Sequence, residues 1–429
     1  MKQVKKHKKI LLVGILFILI TLVSLVLRFQ NYERLINFYL DPPFFLHEVK
    51  DMVDSGKLRL IGPMVASKVI EGRAFFTGPI FYWLLAILGI VSSWNVMEMT
   101  AFFTFLWVGT FVLIYFWLRR RFDEDISLSA YAILSFLPIF ISYSRMIWNP
   151  HLLPFFGVLF LWFLEERRRG LVFFFLAGLF FGLGIHVHYS AVVWLLIGFY
   201  YLIDDIRKKS FSFLNWSLFF IGMIIAESPL LLFELRHDFY NLRTILFQIN
   251  NFELSAGYTF LLPHYYLFPF IPLICKFYGL ILEKLKAILG SKFVIILEVI
   301  LVSYFLMISL RTNQKLTYYP QYWNLEKQKR VTEMIIADNE KTFEVASLIG
   351  SDTRALDLRW WLRERGHKPL GIEEYNQAVV LYLVAPESRS LEKETVWEIQ
   401  SLRPFKIAKE VDLGDGYIFY KLRRLPKEG

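Results

Sequence analysis

Residues 10–27 have the sequence ILLVGILFILITLVSLVL, and a lysine-rich segment, MKQVKKHKK, precedes them. A second apolar run covers Phe102–Leu118. A hydrocarbon core about 30 Å thick takes roughly 17–25 helical residues to cross, so runs of this kind are typical of membrane spans. No small-residue cleavage site follows the first run, which therefore predicts an uncleaved anchor rather than a signal peptide.

The composition of the whole chain is also that of a membrane protein. Hydrophobic residues make up 56% of the 429 residues and charged residues only 20%, too few for the charged surface of a soluble protein. Residues 321–429 differ, because charged and apolar residues alternate there. We therefore expect a mainly α, polytopic helical bundle over 1–310 and a small α/β domain over 311–429, with the boundary near 311–320.

The net charge of +10 sits largely in short clusters beside the apolar runs. Such clusters set the orientation of a membrane protein, so they do not indicate nucleic-acid binding. The single cysteine, Cys275, lies within an apolar run. It can form neither an intrachain disulfide nor a cysteine-based metal site, and a core position is the simplest interpretation.

The basic clusters predict which helix ends face the cytoplasm, because loops rich in lysine and arginine stay on that side. They are Lys2–Lys9, Arg119–Arg121, Arg167–Arg169, Arg207–Lys209 and Lys284–Lys292. All five clusters lie in the cytoplasm only if residues 79–93 do not cross the membrane. This stretch is short and begins with Gly78-Pro79, so we expect a juxtamembrane helix at the outer interface. An ordinary short span is the alternative.

Nine spans follow from this choice: 10–27, 96–118, 126–143, 151–165, 171–186, 189–204, 212–233, 260–282 and 292–310. The N-terminus is then cytoplasmic, and an odd count places the C-terminal domain outside the cell membrane. The predicted outer side holds the first loop, 28–95, the turns at 144–150 and 186–189, the segment 234–259 and the chain after about 311.

The predicted outer helix ends carry carboxylates, imidazoles and guanidinium groups together. A carboxylate there can deprotonate an acceptor hydroxyl, and cations can stabilise a departing phosphate. Structural explanations remain open: His186 and His188 could bond to neighbouring carbonyl groups, Arg145 could reach the lipid headgroups, and Asp41-Pro42-Pro43 could form a turn.

The order of these features resembles the GT-C class of membrane glycosyltransferases. In chain order, the features that carry the resemblance are a first span, an outer acidic residue and a short helix, followed by four motifs. The motifs are Leu60-Ile61-Gly62-Pro63, Gly78-Pro79-Ile80-Phe81-Tyr82-Trp83, Tyr143-Ser144-Arg145 with Asn149-Pro150, and Gly178 to His188-Tyr189-Ser190. The chain is most similar to bacterial relatives of protein O-mannosyltransferases and of lipid A aminoarabinose transferases. The resemblance covers roughly residues 8–310.

The resemblance implies transfer of a sugar from a polyprenyl-phosphate donor to a glycan, lipid or protein acceptor on the outer face, usually with inversion. It implies that Asp41 is the base and that residues 44–55 and 79–93 are juxtamembrane helices of the first loop. Basic residues at later helix ends would hold the lipid phosphate, with Arg145, His188, Arg236 and His237 as the matching residues. Further site candidates at these ends are Lys50, Asn149, His186, Tyr189 and Glu234.

The chain departs from the family pattern at the acidic site. Many relatives have Asp-Glu there, whereas two prolines follow Asp41. Glu48 and Asp51 lie three residues apart on the next helix and share a face, so either could be the base or a metal ligand. A divalent metal is possible, and none is assigned. The alternatives are an envelope polysaccharide polymerase or ligase and, with less support, a transporter, although the chain lacks the internal repeats of many transporters.

The C-terminal residues predict alternating helices and strands without a catalytic motif. We expect helices at 325–339 and 352–365, strands at 341–348 and 379–384, and a hairpin of 407–411 with 417–422 across Gly414-Asp415-Gly416. The domain could be a structural cap or could recognise the acceptor.

Overall fold

The computed structural model describes residues 2–70, 73–250, 264–313 and 320–426. Residues 251–259, which the sequence predicts on the outer side, the first residues of the span predicted at 260–282 and part of the predicted domain boundary lie outside these ranges. The described chain divides into two compact units. A helical unit contains residues 1–30 and 49–313, and a second unit contains residues 31–48 and 314–429.

Helices make up most of the described chain. In order they are α1 Lys2–Phe29, α2 Tyr32–Leu35, α3 Asp41–Asp54, α4 Ile80–Val91, α5 Val96–Leu118, α6 Glu124–Phe136, α7 Pro138–Tyr143, α8 Leu153–Glu165, α9 Leu171–Val187, α10 Trp194–Arg207, α11 Phe213–Arg236, α12 Tyr240–Asn250, α13 Ile271–Leu289, α14 Ser291–Thr312, α15 Leu325–Asp338, α16 Leu356–Glu364 and α17 Trp397–Leu402. Short 3-10 helices cover Asn149–Leu152, Arg167–Arg169, Tyr189–Val193, His264–Phe270 and Ile372–Gln377.

Each predicted span coincides with a helix or a pair of helices. Among the described residues, six helices are long and apolar enough to cross a membrane: Ile10–Phe29, Val96–Leu118, Tyr189–Arg207, Phe213–Arg236, Tyr265–Leu289 and Ser291–Thr312. The predicted helical membrane bundle is therefore confirmed, and the count of nine stays a prediction. The helix at Ile80–Val91 is short, in keeping with the juxtamembrane interpretation.

The span predicted at 126–143 is broken into two helices. Leu137 has ψ 121°, an extended conformation, between α6 and α7. Pro138 follows it and begins α7. The cause is local, because proline disfavours a helical conformation in the residue before it and has no N–H to continue the hydrogen-bond ladder.

The two ends of the helical unit differ in chemistry. At one end, which we call the arginine end, the clusters Arg119–Arg121 and Arg167–Arg169 pair with acidic residues of neighbouring helices. Arg167 is buried and donates from Nε and Nη2 to the two carboxylate oxygens of buried Asp205, at 2.9 and 2.7 Å. The opposite end, the histidine end, holds residues 143–151 and 186–190 and the C-terminal end of α11.

Two strands in the first loop have no counterpart among the predicted elements. They are β1 Met64–Ile70 and β2 Arg73–Phe76, which pair in antiparallel fashion. Helix α12 was also not predicted. The hairpin belongs to the helical unit.

The second unit is built on a four-stranded mixed sheet. Its strands are β3 Phe343–Ser347, β4 Val380–Pro386, β5 Phe405–Gly414 and β6 Tyr417–Arg424, in the order β3-β4-β6-β5. Strands β3 and β4 are parallel, and β4–β6 and β5–β6 are antiparallel. The predicted small α/β domain and the β5–β6 hairpin are thus present. Residues 31–48 group with this unit, whereas the sequence placed the whole loop 28–95 with the transmembrane part.

Candidate functional site

Asp41 is the first residue of α3, in the second unit. Its side chain is exposed. Pro42 and Pro43 follow it in the first turn, where the missing N–H groups cost no hydrogen bond. The Asp-Pro-Pro sequence therefore begins a helix and is not an isolated turn. Negative charge is favourable at this end of a helix, because the helix dipole is positive there.

The other acidic candidates lie farther along α3. Glu48 is half-buried and Asp51 is exposed. At about 1.5 Å of rise per residue, Glu48 lies roughly 10 Å from Asp41 along the helix axis. Asp41 and Glu48 therefore do not form a pair acting on one atom. Lys50 donates a 2.6 Å hydrogen bond to Asp54 and its ammonium lies 5.2 Å from the ring centre of Trp94.

Arg145 is buried and binds the end of the first span. Its Nε donates to the carbonyl oxygen of Arg28 at 2.9 Å, and its Nη2 donates to that of Leu27 at 2.5 Å and to Oδ1 of Asn313 at 2.8 Å. The last carbonyl groups of a helix have no partner within it, so Arg145 caps α1. This structural role accounts for the residue without a phosphate and makes Arg145 the weakest of the four phosphate-binding candidates.

Asn149 has a comparable role. Its side-chain amide donates to the carbonyl oxygen of Val187 at 2.7 Å, at the last residue of α9. The Tyr143–His151 motif therefore ties together the ends of the first span and of α9. Both contacts hold the backbone of the histidine end in place.

His186 is fully buried at the end of α9. The N–H of Ile80 donates to its Nε2 at 3.2 Å, so Nε2 carries no proton. The proton of the neutral ring then lies on Nδ1, which is 3.4 Å from Oε2 of Glu227. The other oxygen of Glu227, Oε1, is buried and accepts no hydrogen bond from the residues described. Sequence reasoning did not select Glu227, although a carboxylate in the apolar run of α11 is a signal for function.

The first loop packs against His186 at two glycine–proline pairs, Gly62-Pro63 and Gly78-Pro79. The N–H of Gly62 donates to the carbonyl oxygen of Thr77 at 2.8 Å, and that of Gly78 donates to the carbonyl oxygen of His186 at 2.8 Å. A Cβ on Gly78 would lie 2.2 Å from the His186 ring, and one on Gly62 would lie 2.1 Å from the oxygen of Gly78. These contacts explain why both positions need glycine.

His188 lies in the turn after α9 and is largely buried. Its Nδ1 accepts the N–H of Ser190 at 3.2 Å and lies 2.7 Å from the Ser190 hydroxyl. The neutral ring therefore carries its proton on Nε2. Burial lowers the pKa of His188 to about 4, so the ring is neutral at physiological pH. Tyr265 and Tyr266 contact it edge-on, with ring centres 5.6 Å away. His188 can thus act on a phosphate oxygen as a neutral hydrogen-bond donor, not as the cation that the sequence suggested.

Tyr189 and Glu234 organise the neighbouring backbone. The Tyr189 hydroxyl donates to the carbonyl oxygen of Phe76 at 2.7 Å. The carboxylate of Glu234 accepts the N–H groups of Asn241 and Leu242, each at 3.1 Å, which caps the start of α12. Both candidates therefore have structural partners.

Arg236 and His237 end α11, and both are exposed. His237 stacks on Phe233 with ring centres 4.2 Å apart, and its Nδ1 lies 2.8 Å from the Phe233 carbonyl oxygen. His188 and Arg236 are the phosphate-binding candidates that the geometry leaves best able to donate to a ligand, because His237 already donates its Nδ1–H to the Phe233 carbonyl oxygen and can offer a second N–H only as the protonated ring. Among the described residues, no group of three or more histidine, cysteine or acidic side chains could hold a metal ion.

Comparison with known proteins identifies the class of this fold. A family model described as dolichyl-phosphate-mannose-protein mannosyltransferase matches residues 77–233. The structure of ArnT from Cupriavidus metallidurans in the apo state is similar over 94% of this chain and 97% of that chain, with a TM-score of 0.60 and 10% identity. The Archaeoglobus fulgidus oligosaccharyltransferase, solved with zinc and sulfate, is similar over 87% of this chain and 68% of that chain, with a TM-score of 0.53 and 12% identity. A search of curated proteins found no match.

These findings confirm the predicted resemblance to GT-C glycosyltransferases. The chain has an ArnT-like fold, and the mannosyltransferase family model matches a part of it, residues 77–233.

Proposed function

We propose that this protein is an integral membrane glycosyltransferase that moves a sugar from a polyprenyl-phosphate donor to an acceptor on the extracytoplasmic face, with inversion. The observation that carries the proposal is the position of the family match. Residues 77–233 include Gly78, His186, His188 and Glu227. The part of the chain that is similar to a sugar-transferring family therefore builds much of the histidine end.

In this proposal Asp41 is the catalytic base. Its carboxylate accepts the proton of the acceptor hydroxyl while that oxygen forms a bond to the anomeric carbon. The bond from the anomeric carbon to the phosphate oxygen breaks, and the lipid phosphate leaves with the electron pair. Preorganised donors stabilise such developing charge, and the Nε2–H of His188 and the guanidinium of Arg236 have this role.

The orientation follows from the charge of the arginine end. Loops rich in arginine tend to stay in the cytoplasm, and this tendency supports an outer location for the histidine end and for the transfer reaction. A lipid-linked donor also removes the need for a nucleotide-binding glycine-rich loop. The acceptor is a glycan, a lipid or a protein.

The test is donor turnover by the purified full-length protein. It is incubated with a panel of polyprenyl-phosphate sugars and membrane extract, and release of polyprenyl phosphate is measured together with labelled product. We expect one donor of the panel to be consumed and its sugar to appear on an acceptor. Failure to consume any donor across a broad panel would contradict the proposal.

A further inference from the structure

The segment that carries Asp41 is built into the C-terminal unit. Residues 31–48 group with residues 314–429, although almost three hundred positions separate them in the chain. The contacts that hold this segment bear on the role of the C-terminal domain, which neither the family match nor the sequence assigns.

Two hydrogen bonds fix the backbone and one side chain of the segment. Nε2 of Gln328, on α15, donates to the carbonyl oxygen of Phe38 at 2.9 Å, and this contact is buried. Nε2 of His47 lies 3.0 Å from the carbonyl oxygen of Leu356, at the start of α16. Since that oxygen can only accept, the ring donates. Losing one partner of a buried hydrogen bond is destabilising, because the other group is left unpaired.

Aromatic rings of α16 contact the same segment both before and after Asp41 in the sequence. Phe38 is fully buried, with ring centres 6.4 Å from Trp360 and 5.6 Å from Trp361. The His47 ring meets Trp360 edge-on at 5.4 Å. Trp360 itself is fully buried. One tryptophan therefore contacts the chain three residues before Asp41 and six residues after it.

Tyr39 reaches the core of the C-terminal domain. It belongs to the buried cluster that includes Val345, Leu358 and Tyr382. A Cβ on Gly350 would lie 2.2 Å from its hydroxyl oxygen and 3.0 Å from the ring carbon that bears it. Only glycine at position 350 leaves room for this side chain.

Leu40, directly before Asp41, has φ 61°. This left-handed conformation is unfavourable for leucine, so it persists only where the surroundings impose it. The buried contacts of Phe38 and Tyr39 supply that constraint. The surface ion pair of Arg34 with Glu326, at 3.1 Å and with both side chains more than half exposed, contributes little.

We propose that the C-terminal domain is a positioning element for the catalytic base: it holds residues 36–48 in the conformation that places Asp41 at the start of α3. Trp360, Gln328 and Gly350 are the positioning residues. This inference rests on the proposed function, because it takes Asp41 to be the base. It gives the domain a role other than acceptor recognition.

The test combines hydrogen–deuterium exchange with donor turnover on the full-length protein. In Trp360→Leu we expect amide exchange across residues 36–48 to rise by about tenfold or more, while the sheet strands stay protected. We expect kcat to fall roughly 10- to 100-fold, as a small misplacement can cause, with KM for the donor nearly unchanged. Trp360→Phe should keep both the amide exchange across residues 36–48 and kcat much closer to wild type.

Leu402→Ala is the matched control. Leu402 is equally buried, in the hydrophobic cluster on the opposite face of the sheet. It should leave exchange across residues 36–48 and kcat close to wild type. A second arm uses Gly350→Ala, which should loosen the segment, and the pair Gly350→Ala with Tyr39→Phe, which removes the clashing hydroxyl and should restore it.

Unchanged exchange across residues 36–48 in both Trp360→Leu and Gly350→Ala would overturn the positioning role. So would faster exchange with full kcat, because the segment would then be loosened without consequence. A wild-type protein that turns over no donor would overturn the proposed function instead, and the exchange measurement would still decide whether the domain holds the segment.

Discussion

The arginine end and the histidine end of the helical unit use ionisable residues in opposite ways. At the arginine end, charges neutralise one another: Arg167 pairs with Asp205 and Asp204, and Lys276 pairs with Glu165. At the histidine end, imidazoles and carboxylates bind backbone groups instead, as His186 and Glu234 do. Charges that are paired with one another suit a region with a structural role. The neutral ring of His188, which carries its proton on Nε2, suits a site that receives a charged ligand.

Breaking the arginine end should have the largest effect on stability. Arg167→Ala leaves Asp205, which is 1% exposed, as a buried charge without its main partner, and such a loss costs about 3–5 kcal/mol. Unfolding in detergent measures this. Donor turnover per folded molecule should stay at the wild-type level, since the residue lies outside the proposed site.

Arg169→Ala is the control for that experiment. The Arg169 side chain is 70% exposed, and exposed ion pairs contribute about 0–1 kcal/mol. A large loss of turnover in Arg167→Ala without loss of stability would show that the arginine end takes part in the chemistry, and the contrast between the two ends would fail.

Acidification should destabilise the histidine end through His188. Burial holds the pKa of His188 at about 4, below its value in an unfolded chain. The stability linked to this residue is therefore present above about pH 6.5 and is lost as the pH falls toward 4. The loss amounts to at most roughly 3 kcal/mol.

His188→Asn should remove this pH dependence, because asparagine offers an oxygen to the N–H of Ser190 without titrating. The comparison is the free energy of unfolding of both proteins between pH 7 and pH 4. Parallel curves would show that His188 is not held neutral by its surroundings.

A smaller loss of stability is expected from a substitution where the first loop contacts His186. Gly78→Ala places a Cβ 2.2 Å from the ring, and the resulting displacement should cost about 1–3 kcal/mol and reduce kcat. Gly109→Ala is the control, because a Cβ there has no atom within 4 Å and alanine is favoured over glycine in a helix. Equal stability and equal kcat in Gly78→Ala and Gly109→Ala would show that the first loop is not packed tightly against His186.

The elements that could be predicted from the sequence are those with local causes. Long apolar runs predicted the helices of the membrane bundle, alternation predicted β3, a continuous apolar run predicted β4, and Gly414-Asp415-Gly416 predicted the β5–β6 hairpin, because membrane crossing and sheet burial leave a direct pattern. The short β1–β2 hairpin was missed, since its seven and four residues carry little alternation. Helix α12 was missed because its apolar residues are mixed with polar ones.

The parts of the site that escaped prediction depend on distant partners. Arg145 has the appearance of a free cation, yet its partners are carbonyl groups of α1, 117 and 118 positions away. The membership of residues 31–48 in the C-terminal unit depends on contacts such as Gln328 with Phe38, 290 positions apart. A single sequence holds no local signal for either. Glu227 was within reach, because a carboxylate in an apolar run is itself a signal.

The central claim is that Asp41 accepts the proton of the acceptor. The most direct measurement is single-turnover transfer from a labelled donor by Asp41→Asn, with donor binding measured in parallel and Glu48→Gln as the comparison. The account predicts a loss of transfer of about 10²- to 10⁴-fold in Asp41→Asn, with donor binding retained and Glu48→Gln close to wild type. Full transfer by Asp41→Asn, with loss in Glu48→Gln, would contradict the account and make Glu48 the base.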